Sequence, residues 1–233
     1  MVIGINCGHT LSGTTGSGAV GLLNESNETR AVGYSLINKL RAAGNTVVDC
    51  TDDNASTVSE NLRRICQIAN AQPLDMFLSI HFNSGGGNGC EAYTFSGRDT
   101  AGAGEILRSV SSLGFKNRGI KDGSGLYVVR NTNAPAVLLE VCFVDSTADA
   151  ELYGRLGADR IADLISTAII GEEERGDDIM IYNYIDENMP EWARPTIQKL
   201  VEKGFLVGGE SGLNLTEEML RIFVVNDRAG LYD

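Results

Sequence analysis

The chain contains two histidines, and each follows a short apolar run that reads as a strand: His9 ends VIGINCGH and His81 ends DMFLSIH. Neutral imidazole nitrogen is a favoured ligand for Zn²⁺, and a strand end holds it rigidly. Two carboxylates have equally telling surroundings. Glu25 opens a helical stretch after a glycine-rich loop, and Glu140 sits inside the run AVLLEVCF. An ionised carboxylate in so apolar a run needs a partner, a metal or a raised pKa. Two histidines and one carboxylate leave a coordination position for water, and a second carboxylate could take that water's proton. Each residue also has an ordinary reading, the histidines as satisfied core or turn residues and Glu25 as a first-turn helix carboxylate. The conjunction is what points to a site: His9, His81 and Glu140 all approach the carboxyl ends of strands, where parallel sheets gather function.

The elements that must position these residues alternate along the chain. Strands are expected at Val2–Asn6, Thr46–Cys50, Met76–His81, Gly89–Phe95, Leu126–Val129 and Ala136–Phe143. Residues 11–23 are dense in Gly, Ser and Thr and form a loop. Asn24 is a fair N-cap for a helix running to about Ala43, with Ala31, Leu36, Ile37 and Leu40 inward and Gly44 as its stop. Further helices are expected at Thr57–Ala71, with Val58, Leu62, Ile65 and Ala69 inward, at Gly102–Leu113, and at Asp149–Ile170 with a break near Gly154. Connections long enough for crossovers imply an α/β fold with a mostly parallel or mixed central sheet and helices on both faces.

At 233 residues, with 42% apolar and 21% charged residues, the chain is an ordinary globular one with room for a larger domain and a small second one. No run approaches the length of a membrane span, so membrane insertion is not expected. A net charge of −12 without a basic stripe argues against a nucleic-acid partner. The five cysteines lack CxxC spacing and read as small buried hydrophobes, not a disulfide framework. Cys142, two residues after Glu140, is expected to share its face of the strand. The start MVIGINCGH lacks the basic and apolar regions of a secretory signal, so the expected setting is cytoplasmic synthesis.

Residues 2 to about 170 resemble the zinc-dependent N-acetylmuramoyl-L-alanine amidases of the amidase 3 type, found in bacterial wall turnover and phage endolysins. The resemblance is carried, in order, by IGINCGH, NESNETR, LSIHFNS, FKNRGIKDGSGLYVVRNTNAPAVLLEVCFVDSTAD and the final helix. It implies that His9, Glu25 and His81 hold one Zn²⁺ per chain and that Glu140 is the catalytic glutamate. Asn83 matches the asparagine of the HxN element, and Arg118 and Lys121 match basic residues near the substrate groove. The implied substrate is the peptidoglycan of a Gram-positive wall, reached after holin-type release or lysis. A zinc carboxypeptidase or endopeptidase cutting within the stem peptide is the alternative, and a catalytically silent wall-binding protein is a third reading. The chain departs from the pattern with GHTLSG in its first loop and with Cys142 in place of a glycine. Neither change removes an implied ligand or the catalytic carboxylate.

The texture changes at Gly171. The expected division is a catalytic domain at 1–171, a charged linker at 172–178 (within GEEERGDD) and a small, mainly helical domain at 179–233. WARPTIQKLVEKGFLVGG resembles half of an S-layer-homology unit. Glu191–Lys203 should be amphipathic with Trp192, Ile197, Leu200 and Val201 on one side. Thr216 should cap a last helix with Met219, Ile222 and Phe223 inward. Wall binding and homodimerisation are both open roles for this piece.

Overall fold

A computed structural model describes residues 1–171, 181–209 and 212–232. The chain divides into two compact units, Met1–Arg175 and Gly176–Asp233. The linker expected at 172–178 lies outside the described residues.

Among the described residues the larger unit is built on six strands: β1 (Val2–Cys7), β2 (Thr46–Asp49), β3 (Met76–Asn83), β4 (Cys90–Thr94), β5 (Asn117–Asp122) and β6 (Ala136–Phe143). Their order across the sheet is β2-β1-β3-β6-β4-β5. All neighbours are parallel except β4 and β6, which run antiparallel, so the sheet is mixed. Five helices surround it: α1 (Glu25–Ala42), α2 (Val58–Asn70), α3 (Ala103–Ser112), α4 (Tyr127–Asn131) and α5 (Thr147–Ile170).

Alternation along the strands sorts side chains into two cores. Ile3 and Ile5 of β1, Leu78, Ile80 and Phe82 of β3, and Val137, Leu139 and Val141 of β6 join Val32, Leu36 and Ile165 on one face, beneath α1, α3 and α5. Phe77 and Leu138 face the other way with Ile65, Val128 and Val129, beneath α2 and α4. His81, Glu91 and Glu140 have the parity of this second, less covered face. Truncating a fully buried anchor such as Phe77 to alanine should cost about 3–5 kcal/mol.

Local signals account for most helix ends. Asn24 caps α1 by accepting from the Asn27 amide, Thr57 caps α2 through Glu60, and Ser146 caps α5 through Asp149. Four expectations fail. Leu126–Val129 is not a strand: Tyr127–Asn131 is the short helix α4, while Asn117–Asp122, where no element was expected, forms edge strand β5. NRGIKD carries little apolar signal, and backbone pairing with β4 is what makes it a strand. The break in α5 falls at Gly157 (φ 76°) and not at Gly154. Ala31 and Val58 are exposed, because tertiary packing selects Val32 and Gly33 in α1 and leaves α2 resting on Ile65 and Ala69.

The smaller unit packs α6 (Arg194–Glu202) against α7 (Glu217–Arg228), around Tyr182, Met189, Ile197, Leu200, Leu220 and Val224. Asp227 ties the pair by accepting from Thr196 Oγ1 at 2.8 Å and Lys199 Nζ at 2.9 Å. Trp192 is 42% exposed, and Met219 and Ile222 also face outward; Leu220 and Val224 point inward instead. EEMLRIFVVNDR is apolar on two sides, so periodicity alone does not say which side is buried.

Candidate metal centre

Each side chain of the centre is delivered by a different device. His9 lies just past β1 with φ 66°, a left-handed conformation that costs a residue with a Cβ about 1–2 kcal/mol. Arg30 of α1 holds that turn: its Nη2 donates to the His9 carbonyl at 3.0 Å and its guanidinium pairs with Asp53. Thr29 Oγ1 donates to the Gly8 carbonyl at 3.2 Å. Glu25 stands in the first turn of α1, where the helix dipole favours a carboxylate. Its Oε1 accepts from the Phe82 amide at 3.1 Å and its Oε2 from the Ala19 amide at 2.8 Å. His81 lies on β3 where the register with β6 shifts, between His81 and Asn83.

The three side chains converge. Glu25 Oε1 is 3.0 Å from His9 Nε2 and 3.1 Å from His81 Nδ1, and all three ligand atoms lie within 4.8 Å of one another. Two metal bonds of ordinary length at a tetrahedral angle hold their ligand atoms about 3.3 Å apart, so the set fits a small divalent cation with one position open. Burial opposes the charge of Glu25, but the contacts with His81 and His9 outweigh it and hold the carboxyl well below its ordinary range. Burial also lowers the pKa of His81, leaving the neutral ring a metal requires. Two glycines make the convergence possible. A Cβ at Gly8 would lie 2.4 Å from the His81 ring, and one at Gly18 would lie 2.5 Å from Glu25 Oε2.

Glu140 is the register partner of His81. Its Oε2 is buried without a hydrogen-bond partner among the described residues, and burial, followed by the charges of Glu25 and Glu91, pushes its carboxyl up to about 8. An orphaned carboxylate oxygen beside an N, N, O ligand set is the arrangement expected where a metal and its open position complete the site. A pocket of about 340 Å³ gives access, lined by the three candidate ligands together with Asn83, Tyr93 and Glu140.

The structure therefore brings His9, Glu25, His81, Glu140 and Asn83 to one pocket. Arg118 and Lys121 do not line it. Both reach Glu91 instead, Arg118 Nε at 2.6 Å and Lys121 Nζ at 2.7 Å from its Oε2. Sequence reasoning missed Glu91, the most heavily engaged group here. It is 2% exposed and its Oε1 accepts from Asn83 Nδ2 at 2.7 Å and Tyr93 Oη at 2.8 Å. Burial works against its charge, but Lys121, Arg118 and Tyr93 prevail and bring it down to about 2. The usable signal was the one that exposed Glu140: an acid inside an otherwise apolar strand, here CEAYT. Arg30 was likewise passed over. Cys142 does not share the face of Glu140; it packs fully buried in the opposite core, because the irregular register at the end of β3 breaks the alternation. All five cysteines are free and buried.

Comparisons with known proteins agree with this geometry. An uncharacterised protein of Clostridium perfringens is 36% identical over 181 residues, 74% of this chain and 52% of that protein. The N-acetylmuramoyl-L-alanine amidase CwlM of Bacillus licheniformis is 39% identical over 146 residues, 59% of this chain and 54% of its own. The chain thus spans about half the length of the first curated relatives it matches. Among solved structures, the catalytic domain of the CD27L endolysin targeting Clostridia difficile superposes with a TM-score of 0.67 at 27% identity, covering 73% of this chain and 97% of that one. The catalytic domain of the amidase CwlV from Bacillus (Paenibacillus) polymyxa gives 0.62 at 28% identity, covering 72% and 96%. The amidase 3 family model, described as N-acetylmuramoyl-L-alanine amidase, matches residues 3–171, the stretch that carries every member of the pocket, and the chain belongs to that family.

Proposed function

We propose that the larger unit hydrolyses the amide joining the lactyl group of N-acetylmuramic acid to the L-alanine of the peptidoglycan stem peptide. The observation that carries this reading is the unpartnered, buried Oε2 of Glu140 beside the converged His9, Glu25 and His81. Family membership supplies the bond to be cut.

The divalent cation is proposed to be Zn²⁺, held by His9 Nε2, Glu25 Oε1 and His81 Nδ1. Two nitrogens and one oxygen with an open position are the donor set of a catalytic zinc, and none of the five cysteines is among them. When bound, zinc supplies Lewis acidity toward the substrate carbonyl and acidifies a water.

Glu140 does the proton work. A carboxyl raised toward neutrality is well matched to taking a proton from an attacking water and handing one to the departing alanine nitrogen. Asn83, oriented by Glu91, places a polar group on the pocket wall where a peptide backbone can be aligned. A serine-based rival lacks a free base, since both histidines of the chain already face Glu25.

Peptidoglycan digestion tests the reading. New L-alanine amino termini, with an intact stem peptide as the released product, are expected. Reducing ends without free alanine would replace it with a glycosidase. Release of a terminal amino acid would replace it with the stem-peptide peptidase.

A further inference from the structure

Trp192 is the chain's one tryptophan and stands in the smaller unit, outside the stretch that matches the family. With Arg221, Val224, Val225 and Arg228 it lines a pocket of about 470 Å³. Val225 in this lining is 64% exposed, so the pocket wall is apolar as well as open. The Arg221 guanidinium lies 5.9 Å from the centre of the indole ring, with Glu217 at 2.7 Å steadying it from one turn earlier. The side chain of Arg228 has no hydrogen bond or ion pair among the described residues.

The composition of this lining is selective. Among the described residues it holds two cations, an indole and two valines, with Glu217 beside Arg221 as the neighbouring acid, in a chain whose net charge is −12. Guanidinium groups recognise carboxylates by charge-assisted hydrogen bonds. An exposed indole face offers a flat apolar platform with a polar N–H at its edge. A ligand that satisfies both must carry a ring with an apolar face and a carboxylate within a few ångströms of it. We propose that this pocket binds peptidoglycan itself, seating a sugar ring on Trp192 and a stem-peptide carboxylate against Arg221 and Arg228. This rests on the substrate assigned above. It makes the smaller unit a second, non-hydrolysing contact with the same polymer, raising the local concentration of the catalytic unit on the wall.

Because the chain has a single tryptophan, indole emission reports this pocket and not the metal centre. The test titrates full-length, zinc-loaded Glu140→Ala protein, in which the ligand should survive, with a soluble disaccharide-tripeptide muropeptide. A saturable change in emission is expected, weakened about tenfold or more by Arg228→Glu or by Arg221→Gln. Circular dichroism checks that each variant is folded, and Arg228→Gln replaces Arg228→Glu if the reversal of charge prevents folding. No emission change, or a change that both substitutions leave intact, overturns the proposal. A response to polyglycerol phosphate but not to the muropeptide overturns it in favour of a phosphate polymer. An emission shift that follows protein concentration, with dimers in sedimentation, overturns it in favour of a second copy. Turnover of the muropeptide by the wild-type chain is measured separately. Turnover without an emission response sinks the pocket and leaves the amidase, and an emission response without turnover does the reverse.

Discussion

Strand β6 has unlike neighbours at the level of Glu140. On the β3 side its register partner is His81, part of a ligand set whose atoms converge on one another. On the β4 side its register partner is Glu91, which is saturated by Asn83, Tyr93, Arg118 and Lys121. Two glutamates adjacent in one sheet thus have opposite fates: burial and uncompensated neighbouring charge raise Glu140 to about 8, while Lys121, Arg118 and Tyr93 bring Glu91 down to about 2. A carboxylate with every lone pair occupied can fix geometry but has nothing left to offer a substrate. One with a buried, unpaired oxygen is costly to keep and ready to exchange a proton.

The comparison can be broken at several levels. The largest effect should come from His81→Ala on the β3 side, which should lose most of the bound metal and about three orders of magnitude or more in turnover. Elemental analysis of the purified variant checks this, and full retention of metal would show that His81 is not a ligand. Glu140→Gln should keep the metal and lower kcat by about 10²–10⁴-fold. Normal turnover there would remove Glu140 from the chemistry.

Gly8→Ala sharpens the β3 side without touching a ligand. The added methyl would sit 2.4 Å from the His81 ring, so the ring must move. Metal affinity measured by chelator competition should fall about 10–100-fold, as for other losses of ligand orientation. On the β4 side, Glu91→Gln should leave metal content unchanged while freeing Arg118 and Lys121 and loosening Asn83. A loss of about 1–3 kcal/mol in stability is expected from denaturant unfolding, with a rise in KM larger than the fall in kcat. Loss of the metal in this variant would mean that the two walls are not separable.

The smallest effect concerns pH in the metal-free protein. The fold favours the neutral form of Glu140, so the contribution of this group to stability is full below its ordinary value of 4.5 and is lost as pH rises through about 8. Metal-free Glu140→Gln should therefore melt a few degrees above the wild type at pH above about 8, with the gap closing toward acid pH. A gap that widens toward acid would give Glu140 a lowered pKa instead.

Much of this site was legible in the chain. His9 and His81 betray themselves by ending apolar runs, Glu25 by following a loop and an N-cap, and Glu140 by sitting where an acid is expensive. These are local signals, written in neighbours a few residues away. Glu91 carried the same signal in a shorter strand, and its partners gave none: Asn83, Arg118 and Lys121 are ordinary polar residues until β3, β4 and β5 lie in one sheet. Helix α4 was misread and strand β5 missed for a related reason, since YVVRN has strand-like composition and NRGIKD has none.

The sequence by itself determined the alternation of strands and helices, the caps at Asn24 and Thr216, and the residue types able to hold a metal, because each depends on near neighbours in the chain. Only the tertiary structure decided that Glu140 lies between His81 and Glu91, that Arg118 and Lys121 spend their charge on Glu91, and that Trp192 with the outer side of α7 remains exposed. Those outcomes depend on strand order and register, which bring together residues far apart in the chain, such as His81 and Glu140, 59 positions apart, through hydrogen bonds between backbones that all residues share.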